Sequence, residues 1–198
     1  PKTITVRGTG KLSAHTKNIS VASAFRLLNA IQPSDGYVID PGVAAHLLLD
    51  IDHATIDEIL AAIRAAGVFV GRGPLHRVCA KECGEIADQK FVGVPVSIAV
   101  TDAQAVDLLR ALEPSMDPLE MYAPPDLQGV ISVYATDVAW DRLVPTIIAA
   151  VGREYRVDAP RIYIGRAADL SDPKRLVRLD KVALPRSRRT FGEADPAK

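Results

Sequence analysis

This chain has no excess of either charge: 24 Lys and Arg balance 24 Asp and Glu across 198 residues. A formal net charge of zero argues against a general nucleic-acid binder, which needs a basic surface to meet phosphate. Aromatic residues are few, at 5%, and there is no G-x-x-G loop between helices, so modules that stack or clamp bases fit poorly. No apolar run approaches the length that crosses a bilayer. No serine, histidine and acid fall into a nucleophile pattern, and His15 and His46 stand alone. The glycines of GRG (71–73) sit in a hairpin pattern, without the strand–turn–helix setting of a phosphate loop. Only two cysteines are present. The first residue is Pro1, not Met, from which removal of an initiator, a signal peptide or more is expected, compatible with export.

What is present is a repeat. AFRLLNAIQPS (24–34) and AVDLLRALEPS (105–115) are identical at six of eleven positions. Apolar residues fall at i, i+3, i+4 and i+7 in both: Ala24, Leu27, Leu28 and Ile31, then Ala105, Leu108, Leu109 and Leu112. That spacing puts one apolar stripe on a helix, with Pro33 or Pro114 as its stop. A repeat found first sets the fold. The chain reads as two small α+β domains, residues 1–80 and 93–168, with a charged linker at 81–92 and a basic, partly disordered tail at 169–198.

In the first unit, TITVRGTG (3–10) reads as a short strand or arm, and 12–19 as a weaker extended stretch. Ser20 or Ser23 can cap the first helix. YVID (37–40) is a strand, and LLLDID (47–52) alternates with Leu47, Leu49 and Ile51 on one face. Thr55 and Glu58 have capping-box spacing, Ile56, Ile59, Leu60 and Ile63 form the next stripe, and Gly67 ends it. VFVGRGPLHRV (68–78) is a hairpin. The second unit repeats the order. VPVSIAV (94–100) leads to a helix that Thr101 or Asp102 can cap, and GVISVYA (129–135) matches the strand at 47–52. Trp140, Leu143, Val144 and Ile147 match the second stripe, and EYRVDAPRIYIG (154–165) matches the hairpin. Pro145 predicts a late start or a bend in the second helix. RLVRLDKVAL (175–184) predicts a strand or short helix on the second unit.

Two clusters invite chemistry. His76, Cys79 and Cys83 form H-x2-C-x3-C, three soft ligands where a structural zinc needs four. Cys79 and Cys83 can also be a disulfide, favoured only in an exported protein, or free thiols. Asp50, Asp52 and His53 form D-x-D-H, with both carboxylates on one strand face, a pattern that suits a divalent ion. A polar strand end entering a helix accounts for the same residues. No catalytic, cofactor or metal residue is assigned.

The strand, the helix with a Leu-Leu pair, the proline turn, the strand, the helix entered through D-V-A-W-D (137–141) and the closing hairpin resemble a known pattern. It is the short N-terminal, periplasmic domain of bacterial secretins and TonB-dependent receptors. The nearest stretch is 125–165, with Gly129 before the strand and Ala139-Trp140-Asp141 at the helix. The resemblance implies a non-enzymatic module without cofactors. It implies two tandem β-α-β-β-α-β domains, each with two helices on one face of a small mixed sheet. It also implies a periplasmic or outer-membrane-associated location, and partners among envelope proteins, secretin or inner-membrane components included. Nucleic-acid binding through small α/β domains and the basic tail is the competing expectation, and a metal-dependent enzyme comes last.

Overall fold

The computed structural model describes residues 1–33, 36–43, 45–71, 75–83 and 93–182. The first half runs β1 (Lys2–Arg7), β2 (Leu12–His15), β3 (Ile19–Ser20), α1 (Val21–Ile31), β4 (Gly36–Ile39), β5 (His46–Ala54), α2 (Ile56–Ala65), β6 (Phe69–Val70) and β7 (Leu75–Cys79). The second runs β8 (Pro95–Gln104), α3 (Ala105–Leu112), β9 (Glu120–Ala123), β10 (Val130–Ala139), α4 (Trp140–Ala150), β11 (Glu154–Asp158), β12 (Arg161–Gly165), α5 (Ala167–Ser171) and β13 (Val177–Arg178). The fold is α+β. The hairpin tip at 72–74, most of the expected linker (84–92) and the tail beyond Val182 lie outside the described residues. Among those described, no helix is long and apolar enough to cross a membrane.

Helix starts follow local chemistry. Ser20 caps α1, its hydroxyl accepting from the Ser23 N–H at 3.1 Å. Thr55 and Glu58 form the capping box of α2, and Gly67 takes a left-handed φ of 76° just past its end. In the second half, neither Thr101 nor Asp102 caps α3. β8 runs on past them, Gln104 is the N-cap without a side-chain bond, and Asp102 takes a left-handed φ of 52°. Pro114 does not end the chain's coiling either, since a 3-10 turn carries Glu113–Met116. Pro145 lies inside α4, which starts at Trp140 with no delay. The next residue, Thr146, turns its hydroxyl onto the Arg142 carbonyl one turn back, at 2.8 Å.

The strands form three sheets, in the orders β1-β5-β2 with β3 also on β5, β6-β7-β4-β10-β8, and β11-β12-β9-β13. Each helix pair lies between two sheets, where a single sheet face was expected. α1 and α2 share a core with β1, β5, β4, β6 and β7, and α3 and α4 share one with β10, β9 and β12. The layers therefore run sheet, helices, sheet, helices, sheet. Each of α1 to α4 buries apolar side chains between two sheets, which a single narrow stripe could not supply.

The middle sheet belongs to both halves. β4 pairs antiparallel with β10, with Tyr37 opposite Tyr134, Val38 opposite Val133 and Ile39 opposite Ser132. Side chains alternate across a strand, so Tyr37, Ile39 and Tyr134 enter the first core while Val38, Ile131 and Val133 enter the second. Neither core is complete without a strand from the other half.

Strand pairings recur at a spacing of 84 residues. Leu12 faces Ala54 as Val96 faces Val138, Ala14 faces Ile51 as Ile98 faces Ala135, and Ile19 faces Leu47 as Ala103 faces Ile131. The irregularities recur too. Asn18 and Asp102 share a left-handed φ near 53° and 52°, as do His53 and Asp137 near 52° and 53°. Ser13 accepts from the His53 N–H at 3.2 Å, and Ser97 accepts from the Asp137 N–H at 3.0 Å. β2 and β3 are thus the counterpart of the single long β8.

That spacing corrects the helix alignment read from the sequence, which pairs Ala24 with Ala105 and is three residues shorter. The buried residues of α1 are Val21, Ala24, Phe25 and Leu28, which map onto Ala105, Leu108, Leu109 and Leu112 at the 84-residue spacing. Leu27 is only half-buried, and Ile31 is 42% exposed. A shift of three residues is close to one helical turn, so two neighbouring stripes gave nearly the same pattern.

Candidate interaction surface

The joint between the halves defines what a docked strand looks like in this fold. The outer edge of β4, together with α1, receives β10. Tyr134 is 1% exposed there, and its hydroxyl meets Thr101 Oγ1 at 2.7 Å. The buried hydroxyl therefore keeps a partner, which removes most of the penalty of burying it.

The corresponding seat on the second half is α3 with the outer edge of β9, since β9 occupies the place of β4. It is filled by residues 173–182. β13 pairs antiparallel there, Val177 opposite Ala123 and Arg178 opposite Tyr122. Val177 thus sits where Ser132 sits on β4, and Arg178 where Val133 sits. One residue further, Leu179 falls at the place of Tyr134 and is fully buried in the second core. Leu176 and Val182 are buried beside it. Arg110 of α3 fastens this strap, its guanidinium donating to the carbonyls of Leu179 at 3.0 Å, Asp180 at 3.2 Å and Val182. The expected strand or short helix over 175–184 is found as β13 followed by a 3-10 turn at Leu179–Lys181.

The outer face of the β11-β12-β9 sheet carries two tyrosines that the core does not use. Tyr122 and Tyr163 face each other at 5.6 Å between ring centroids. Arg156 lies over Tyr163 and Arg161 over Tyr122, at 5.3 and 5.6 Å. Glu120 accepts from the Tyr122 hydroxyl at 3.0 Å and pairs with Arg178 at 3.3 Å. That hydrogen bond, with a smaller contribution from burial, holds the Tyr122 hydroxyl above its ordinary titration range. On the first half the same sheet positions are Val38, Leu75 and Arg77, paired with β4 and β7 in the same register. There α4 covers them, and Val38 and Leu75 are buried. In the second half α5 packs over one end of this face, Arg156 donating to the Leu170 carbonyl, and among the described residues the tyrosine pair keeps part of its surface exposed.

The residues singled out for chemistry do not converge. Asp50 is held by Arg7 at 2.8 Å and by His15 Nδ1 at 2.8 Å. The bond from Arg7, then that from His15, keeps its carboxyl below the ordinary range. Asp52 instead meets His53 Nδ1 at 2.6 Å. Cys79 and Cys83 are joined by a disulfide with Cα atoms 5.7 Å apart, while His76 Nδ1 lies 2.8 Å from the Gly71 carbonyl. Both sulfurs of H-x2-C-x3-C are thereby spent on each other. His46 is exposed on β5. Among the described residues no group of three or more His, Cys, Asp or Glu is placed to hold a metal ion.

Arg110, Leu179 and the tyrosine pair carry no motif in the sequence. The alternation of EMYA (120–123) and RIYIG (161–165) places each tyrosine on the face opposite Met121 or Ile162 and was the available signal. No protein-family profile and no curated protein matches this chain.

Proposed function

We propose that the protein is a duplicated module for protein–protein interaction in the bacterial cell envelope. It resembles the periplasmic domain of secretins and outer-membrane receptors and works without a catalytic site. The observation that carries this reading is the β4–β10 joint, in which one half docks on the other by strand pairing and exchange of core residues. The 84-residue spacing shared by the pairings, bulges and left-handed residues of β2, β3 and β5 with those of β8 and β10 supports descent of both halves from one unit. A domain that recognises its neighbour through a sheet edge has the means to recognise other proteins through main-chain hydrogen bonds and side-chain pockets. The disulfide between Cys79 and Cys83 is in keeping with an oxidising compartment. Secretin or inner-membrane components are the proposed partners, at a periplasmic or outer-membrane location.

The test is fractionation of the native host combined with site-specific photo-crosslinking from position 163. The reading expects the protein in the envelope fraction with discrete crosslinks to envelope proteins. A cytoplasmic protein that binds single-stranded nucleic acid tightly at physiological salt would replace it by the nucleic-acid reading, because counterion release makes weak phosphate contacts vanish there.

A further inference from the structure

The strap at 173–182 stands where a strand of another unit would stand. We propose that the seat formed by α3 and the β9 edge is a second docking site for the central strand of a further unit of this fold, held closed by the strap. The proposal rests on the reading of the chain as an interaction module and names the partner class: a domain offering an antiparallel strand with a small, an apolar and an aromatic residue in the order of Ser132, Val133 and Tyr134.

Three independent observations carry it. First, the seat is used. Its counterpart on the first half, α1 with the β4 edge, takes β10, so this geometry accepts a strand of a neighbouring unit. Second, the strap copies that strand position by position, in the same antiparallel sense, with Leu179 in the place of Tyr134. It does so with two paired residues, where β10 pairs with β4 through three. Leucine is smaller than tyrosine and brings no hydroxyl, so a β10-like strand offers the seat more side-chain area and one more paired residue. Third, the sheet face beside the seat is the one that the second half covers on the first. Here α5 covers only one end of it, and among the described residues Tyr122, Tyr163, Arg156 and Arg161 keep part of their surface exposed, residue types that dominate binding energy at protein interfaces. Arg110 is the latch. Its counterpart at the 84-residue spacing, Arg26, is exposed, since β10 needs no clamp.

A second copy of this chain is a poor occupant. The strand that corresponds to β10 is β5, whose outer edge is already paired with β1 in parallel. Moreover β5 carries Asp50 where β10 carries Tyr134, and a carboxylate tied to Arg7 and His15 is costly to bury in an apolar seat. The partner is therefore another protein.

The test uses the full chain with Leu179→Asp and Val182→Asp, two charges that expel the strap from its apolar seat. The probe is a fluorescent peptide with the β10 sequence GVISVYAT (129–136). Hydrogen exchange should show β9 amides losing protection in the variant while α2 and α4 keep theirs. Adding the peptide should restore β9 protection. The wild-type chain should bind the peptide at least about tenfold more weakly than the variant, and a peptide with Tyr134→Ala should bind the variant about tenfold more weakly. Arg110→Ala, which loosens the latch without burying charge, should bind the peptide at an intermediate level. It carries the test alone if the double variant loses protection throughout. No binding to an opened seat, or equal binding of the alanine peptide, overturns the proposal. If the protein crosslinks in the envelope while its opened seat ignores the peptide, this inference falls and the functional reading stands. A cytoplasmic protein whose opened seat takes the peptide removes the functional reading alone.

Discussion

Tyr134 of β10 lies opposite Tyr37 of β4, and both side chains are buried in the core of the half to which Tyr134 does not belong. The ring of Tyr37 in turn packs 4.9 Å from Phe25 of α1 and 5.4 Å from His76 of β7. One residue of the second half thus joins the core that α1, α2 and their strands form in the first. The halves are coupled through this sheet.

Tyr134→Ala should therefore weaken the first half as much as the second. Removing a buried aromatic costs about 3–5 kcal/mol. Denaturant unfolding followed by hydrogen exchange is the measurement. The expectation is one cooperative transition in the wild type, and lost protection in α1 and α2 of the variant. A variant in which only α3 and α4 lose protection would contradict the shared core.

The register of α1 is open to a paired substitution. Leu28 is 2% exposed and Ile31 is 42% exposed. Leu28→Ala should cost about 2–5 kcal/mol, and Ile31→Ala should stay within about 0.5 kcal/mol, as surface changes do. Equal losses at both sites would restore the stripe that runs through Leu27 and Ile31.

Acid should act on two carboxylates in opposite ways. Asp50 is lowered from 3.8, so its stabilising effect is present above the ordinary carboxylate value and is lost as pH falls through its own, lower pKa. Asp40 makes a bidentate pair with Arg77 at 2.8 and 2.7 Å. Burial nevertheless outweighs that pair and raises it above 3.8, so its folded form is favoured below that value and loses stability as pH rises through the raised pKa. Carboxyl titration by NMR should place Asp50 below and Asp40 above 3.8. The stability difference between wild type and Asp50→Asn should shrink as pH falls below that point.

Cys79 and Cys83 should be oxidised in the protein taken from its host. Thiol counting on unfolded, non-reduced protein should find no free thiol, and two would speak for a reducing compartment. Reduction should leave the main unfolding transition in place, because the bridge closes a separation of only 4 residues and restrains little of the unfolded chain.

The α+β class and the order of elements were legible in the sequence, because their signals act between near neighbours. The Ser20 cap, the Thr55–Glu58 box, Gly67 and the alternation of Leu47, Leu49 and Ile51 each depend on backbone groups within a turn or on the two-residue strand period. Tertiary structure alone decided which side chains those elements bury. α1 carries two apolar stripes about one turn apart, and β4 with β10 on one side and β5 on the other select Val21, Ala24, Phe25 and Leu28. The joint between the halves was equally hidden, since an edge strand such as β4 has the same local sequence whether water or β10 fills its hydrogen bonds. Arg110 reads as an ordinary helix-surface arginine until the carbonyls of a segment about seventy residues away come within reach. Local geometry follows from the chain's own neighbours, whereas edges, seats and latches exist only once distant segments meet.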